Sequence, residues 1–233
     1  MSRAKSLLVV RLVVFAAICA ALSGCNSSKK ELAVEKPIAT SEPSPSPAVT
    51  PKAKLPPPTK AEVESALHRV YGDDLAANLS DPQSFIVGDF NGDDSEDIAI
   101  IVRPARDKLD DINSELANWI IQDADKVFIP PPSAKKVVLP PVQKHPQIQA
   151  NEEVLAIIHG FGPQGWRNPD ARQAYLVKNA AGSFQGTAPS ISQKAIRAMH
   201  LPVQTEIIKE VRNSKKGFLF WTGGMYAWHP SEG

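Results

Sequence analysis

The chain is short of cysteine, of long apolar runs and of charge of one sign, and each shortage excludes something. Its 233 residues hold two cysteines, Cys19 and Cys25. Everything after Cys25 must therefore fold without an internal disulfide and without a thiol nucleophile. The apolar run over residues 12–22 (LVVFAAICAAL) is too short to span a bilayer, which takes about 20 residues. No segment repeats at a fixed period, so a solenoid or a closed β-propeller is not encoded. The motifs HExxH and GxSxG are missing, and His68, His145, His200 and His229 show no metal-ligand spacing with one another.

What is present begins with a targeting segment. Arg3, Lys5 and Arg11 make a positive start, the apolar run follows, and Leu22-Ser23-Gly24-Cys25 ends it. That tetrapeptide resembles the lipobox of bacterial lipoproteins. The resemblance implies cleavage before Cys25, a diacylglycerol on its thiol and acylation, typically palmitate, of its freed amine. Several acyl chains, at about 0.8 kcal/mol per buried CH2, make such an anchor effectively permanent. Asn26 at the next position is similar to an outer-membrane address. Without Arg3, Lys5 and Arg11 the chain carries 23 basic and 25 acidic residues, a net charge of −2. That balance excludes a nucleic-acid partner of the usual basic kind.

Three regions follow: the signal peptide at 1–24, a lipid-anchored tether at 25–58, and one globular domain at 59–233. The tether holds eight prolines and no aromatic residue, so it cannot bury enough apolar surface to fold. At about 3.1 Å per residue in polyproline II form, it reaches roughly 100 Å from the lipid. The remaining length suffices for one domain with a real core.

That domain is expected to be α+β: a strand-rich antiparallel sheet with a capped N-terminal helix and one or two short helices. Thr59 and Glu62 have capping-box spacing, and Val63, Ala66, Leu67, Val70 and Tyr71 recur on one helical face before Gly72. Leu109, Ile112 and Leu116 predict a second helix running towards Trp119. Ser190 and Gln193 predict a capped third helix over 191–199. Strands are expected at 84–89, 97–103, 119–122, 126–129, 136–139, 154–159, 173–178 and 206–212. Gly223-Gly224 between 217–222 and 225–229 predicts a hairpin that sets Trp221 opposite Tyr226 and Leu219 opposite Trp228. Its aromatic cluster reads as core packing across strands in preference to a ligand platform.

The sharpest chemical motif is Gly88-Asp89-Phe90-Asn91-Gly92-Asp93-Asp94-Ser95-Glu96-Asp97. Oxygen-bearing side chains stand at loop positions one, three, five and nine, the alternation by which a tight loop can offer several ligands to a hard cation. Position twelve is Ile100 where an EF-hand needs glutamate, and strands flank the loop where that motif has helices. The stretch resembles the FG-GAP/VCBS type of calcium loop. The resemblance implies a structural Ca2+ held by Asp89, Asn91, Asp93 and Asp97, with Ser95 through its carbonyl. It covers about 20 residues, occurs once, and departs from the family at loop position six, where glycine is replaced by Asp94. Five carboxylates within nine residues also repel one another strongly unless a cation joins them.

Gly160-Phe161-Gly162-Pro163-Gln164-Gly165 matches GxGxxG, but Pro163, Pro169 and the early return to a strand leave no helix to receive a pyrophosphate. The segment 159–172 gathers His159, Trp166, Arg167, Asp170 and Arg172, a mix suited to an anionic or sugar-like ligand or simply to a packed loop. No catalytic constellation stands out. The sequence thus points to a lipid-anchored envelope domain acting as a non-enzymatic binding or assembly module, with an envelope protein or glycan as partner. An envelope hydrolase working through the 159–172 loop, and a calcium-dependent sensor or adhesion module, are the alternatives. Oligomeric state is not encoded in any feature.

Overall fold

The computed structural model describes residues 55–129, 144–188, 203 and 205–231. The signal peptide, Cys25, most of the tether, the strand expected at 136–139 and the helix expected over 191–199 lie outside the described residues. The described part is strand-rich and α+β, with mixed sheets, few helices and no closed barrel. None of its helices is long and apolar enough to cross a membrane.

Helix α1 (Lys60–Tyr71) starts where the Thr59 side chain accepts from the Glu62 N–H and the Glu62 carboxylate accepts from the Thr59 N–H. It stops at Gly72, whose φ of 60° suits a residue without a Cβ. Its buried face is Val63, Ala66, Leu67 and Tyr71.

The strands are β1 (Leu75–Ala77), β2 (Phe85–Gly88), β3 (Asp97–Pro104), β4 (Ile120–Asp123), β5 (Val154–Ile158) and β6 (Ala174–Lys178), then β7 (Ser183–Ala188), β8 (Ile207–Arg212), β9 (Lys215–Trp221) and β10 (Tyr226–Pro230). The first six form a sheet in the order β1-β3-β5-β6-β4, with β2 also on β3; only the β4/β6 pair is parallel. The last four form an antiparallel meander.

Alternation along the central strands sorts the core into layers. Ile98, Ile100 and Val102 of β3, with Val154, Ala156 and Ile158 of β5, pack with the buried face of α1. Ala99 of β3, Leu155 and Ile157 of β5, and Tyr175 and Val177 of β6 pack with Phe184, Ile208, Leu219, Trp221 and Tyr226 of the meander. Phe218, Phe220 and Ala227 face the other side of the meander. Helix, six-stranded sheet and four-stranded sheet therefore stack in that order. The hairpin register matches the expectation from Gly223-Gly224, with Trp221 paired to Tyr226 and Leu219 to Trp228. Trp221 and Tyr226 are buried, so this aromatic cluster is core.

Three expectations fail for identifiable reasons. The second helix, α2, covers only Leu109–Ile112, and Leu116 is 92% exposed. Asn113 pulls the chain out of the helix by holding both the N–H and the carbonyl of Ile148, while the Trp119 indole N–H takes up the Ile112 carbonyl. Residues 126–129 pair with no strand among the described residues; the chain bends at Lys126, and Val127 and Ile129 pack against the cluster on the other face of the meander. Strands β1 and β7 were not expected: β1 is three residues long, and β7 carries Gly186 at φ 112° beside a register shift.

The Tyr71 hydroxyl ties α1 to the sheet by donating towards the carbonyls of Ile157 and Tyr175 at 3.1 and 3.0 Å. Tyr71→Phe should lower the unfolding free energy by about 1–2 kcal/mol, the cost of a lost buried hydrogen bond, as read from urea denaturation with an unchanged m-value.

Candidate functional site

The acidic loop joins β2 to β3 as a hairpin, with Gly88 paired to Asp97 at its base. Its oxygens are turned onto backbone N–H groups. Asp89 accepts from Gly92, Asp93 and Asp94. Asn91 accepts from the Asp93 N–H and donates from its amide to the Asp93 carboxylate, and Asp93 accepts from Ser95. Asp94 has φ 64°, so it adopts the left-handed conformation that the calcium-loop pattern assigns to glycine.

Asp97 is the centre of the arrangement. Its carboxylate is fully buried. One oxygen accepts from Phe90 and Asn91 at 2.8 and 3.2 Å, and the other from Gly160 at 2.7 Å. Burial pushes this carboxyl up to about 8; the Gly160 and Phe90 N–H groups pull it down, and the charges of Asp93 and Asp89 raise it again. Among the described residues no lysine or arginine forms an ion pair with Asp89, Asp93, Asp94 or Asp97.

The residues present fit a hard cation in charge and in donor type. Their placement fits less well: among the described residues no three His, Cys, Asp or Glu side chains are gathered closely enough to hold a metal ion. Ion binding requires Asp89, Asn91, Asp93 and Asp97 to draw their oxygens closer together, while lone pairs left over can still accept the loop N–H groups. A carboxylate absent from the motif stands beside them. Glu206, just before β8, accepts from the Asp89 N–H, and its own N–H donates to the Asp89 carbonyl. No sequence signal reveals it, because it arrives from 117 residues away.

The acidic loop and the segment 159–172 do meet, and they meet as a packed joint. The Trp166 N–H donates to the Glu96 carbonyl at 2.7 Å, and its indole N–H to the Glu96 carboxylate at 3.0 Å. Ser95 donates to the Gly162 carbonyl. A Cβ on Gly160 would collide with the Glu96 carbonyl, and one on Gly165 would lie 2.5 Å from the same oxygen. Those glycines, read from sequence as part of a nucleotide motif lacking its helix, exist to let a neighbouring peptide approach.

The five residues picked out in 159–172 are split between two layers. His159 is 1% exposed and lies between the sheets, against Tyr175, Trp221 and Tyr226. Its Nε2 is 2.6 Å from the Tyr226 hydroxyl, and burial pulls its pKa down to about 4, with the Gln173 side chain and Asp93 acting in the opposite direction. Trp166 is buried on the α1 side, in the core that holds Val63 and Leu67. Arg167 lies over the Trp166 ring at 4.3 Å and bridges Glu62 and Glu96 while donating to the Pro56 carbonyl. Asp170 and Arg172 are exposed. His159 therefore shares no cleft with Arg172. Grooves of about 690 Å3, along β1, β3 and the end of β8, and about 520 Å3, beside α2, share no lining residue with either loop.

No family profile, no curated protein and no solved structure matches this chain.

Gly160→Ala should destabilise the domain by about 3 kcal/mol through overpacking against backbone, and Gly165→Ala by at least as much, since its φ of 58° adds backbone strain to the clash. Gly162 has φ 61° but open space around it, so Gly162→Ala should cost only about 1–2 kcal/mol from the left-handed backbone. Chemical denaturation of the three variants distinguishes a joint from a ligand loop, in which the order would be unrelated to packing.

Proposed function

We propose that this chain is a lipid-tethered module of the bacterial cell envelope, held through Cys25 on a membrane surface, the outer membrane by its sorting residue. It binds or assembles an envelope protein or glycan partner without catalysing a reaction, and its acidic loop carries a structural calcium ion. The observation that carries the reading is the joint between the acidic loop and the segment 159–172. The loop's innermost carboxylate fixes β3 to the end of β5, so a cation there would act on the stability of the fold. The chemically suggestive groups, Asp97 and His159, are both buried; the two oxygens of Asp97 are taken by backbone N–H groups, and Nε2 of His159 by the Tyr226 hydroxyl.

Calcium would be held by Asp89, Asn91, Asp93 and Asp97, with the Ser95 carbonyl; oxygen donors at this density suit a hard cation. It would supply the positive charge that the crowded carboxylates lack. Binding only to the folded state raises stability with the logarithm of one plus the ratio of free ion to Kd, about 2.7 kcal/mol at one hundred times Kd. Millimolar calcium should therefore raise the melting temperature by several degrees, and Asp93→Ala should abolish the rise. Identical melts in calcium and in chelator would remove the ion from the proposal.

The anchor is tested separately. An alkyne-bearing palmitate fed to a bacterial host should label the protein, and Cys25→Ser should lose both label and membrane association. Labelling that survives this substitution would place the lipid elsewhere.

A further inference from the structure

Where β1 and β3 of the first sheet face the end of the β7/β8 pair at Ser183 and Val211, the two sheets leave a groove of about 690 Å3, a size within the range of ligand sites. Its sides are held in place from behind. The Gly182 N–H donates to the buried carboxyl of Glu210 at 3.1 Å, and a Cβ on Gly182 would lie 2.7 Å from the Val211 carbonyl. The Arg212 side chain is only 12% exposed, pinned by Asp125 at 2.6 Å and by the Trp228 ring at 4.0 Å. Across from it, Asp81 ties the 78–84 loop together. Its carboxylate accepts from the Gln83 N–H at 2.8 Å, and its carbonyl from the N–H and hydroxyl of Ser84. Arg103 of β3 and Glu153, just before β5, pair at 2.7 Å on the first-sheet side.

We propose that this groove binds an uncharged oligosaccharide, an assignment that rests on reading the chain as an envelope module and names glycan over protein as its partner. The four ionised side chains in its lining cancel, Asp81 and Glu153 against Arg103 and Arg212. A lining without net charge gives a strongly charged ligand no complement. Its hydrogen-bonding capacity is largely unspent. Among the described residues the side-chain amides of Gln83 and Asn213 hold no hydrogen bond, Asn78 uses only its amide oxygen, and Asp81 and Glu153 each keep one oxygen free. Planar groups with paired donors or acceptors match the neighbouring hydroxyls of a sugar ring. Ala76, Ala77 and Ile101 add apolar surface for its C–H face. No aromatic ring lines the groove, so hydrogen bonds select the ligand in place of stacking. An extended peptide would take its specificity from pockets for alternate side chains; here the first-sheet side carries the Arg103–Glu153 pair instead.

The test follows amide shifts of the full chain, in a detergent without a sugar headgroup, during titration with chitotriose and with maltotriose. Saturable shifts confined to 76–84, 101–103, 153, 181–183 and 211–213 are expected with at least one of the two sugars. Added salt should change the affinity little, since no net charge is matched; a steep loss with salt overturns the uncharged ligand. Gln83→Ala and Arg103→Ala should each weaken binding about threefold to tenfold, the net worth of a hydrogen bond. Neither should move the melting temperature, because Gln83 is exposed and Arg103 pairs only at the surface. Shifts centred elsewhere, or affinities equal in wild type and both variants, overturn the groove and leave a glycan partner standing. No response to either sugar overturns the assignment, while the envelope reading rests on the palmitate label at Cys25. Groove shifts with an alanine tetrapeptide and with neither sugar would hand the groove to a protein segment.

Discussion

One carboxylate organises this end of the domain. Asp97 is buried, and it spends its two oxygens on three N–H groups, two at the start of its own loop and one just past the end of β5. Without it, Phe90, Asn91 and Gly160 would each hold a buried or half-buried donor with no acceptor, at about 1–3 kcal/mol apiece. The bond to Gly160 fixes where β5 ends, and therefore where the chain turns to lay Trp166 on Glu96. From Trp166 the chain of contacts continues through Arg167 to Glu62, which caps α1, and to the Pro56 carbonyl, where the tether meets the domain. Loop, turn, helix start and tether end are one connected set of polar contacts built outward from that residue.

The same residue shows why the charges in the loop are not interchangeable. Asp93 and Asp94 are exposed and Asp89 half-buried, so water screens their mutual repulsion. Asp97 is buried, and its N–H bonds favour the ionised form while burial and its neighbours favour the neutral one. Burial outweighs those bonds, which is why the carboxyl is pushed up to about 8.

How much of this was legible in the sequence depends on how local each interaction is. The acidic loop and its flanking strands are read from ten consecutive residues, and the 223–224 hairpin from two glycines between aromatic runs. The register of β9 and β10 follows from period two alone. What escaped depends on residues far apart in the chain. Asn113 ends α2 early because Ile148 is 35 positions away and needs two partners. Glu206 reaches the acidic loop only because the meander packs on the sheet. The grouping of His159 with Arg172 failed for a geometric reason: a segment leaving the end of a two-faced sheet puts its first residue on one face and its later ones over the other.

That last point bears on what the glycines of 160–165 mean. A Gly-rich turn after a strand reads as a phosphate cradle when a helix follows, since the helix supplies N–H groups and a dipole. Here a short 3-10 turn follows, Gly162–Arg167, and the space the glycines open is filled by the Glu96 peptide. The Gly160 N–H does meet an oxygen acceptor, but it is the Asp97 carboxyl of the chain itself. The motif thus keeps its physical logic of small residues, close approach and an oxygen acceptor at the backbone N–H, while its ligand has become part of the fold.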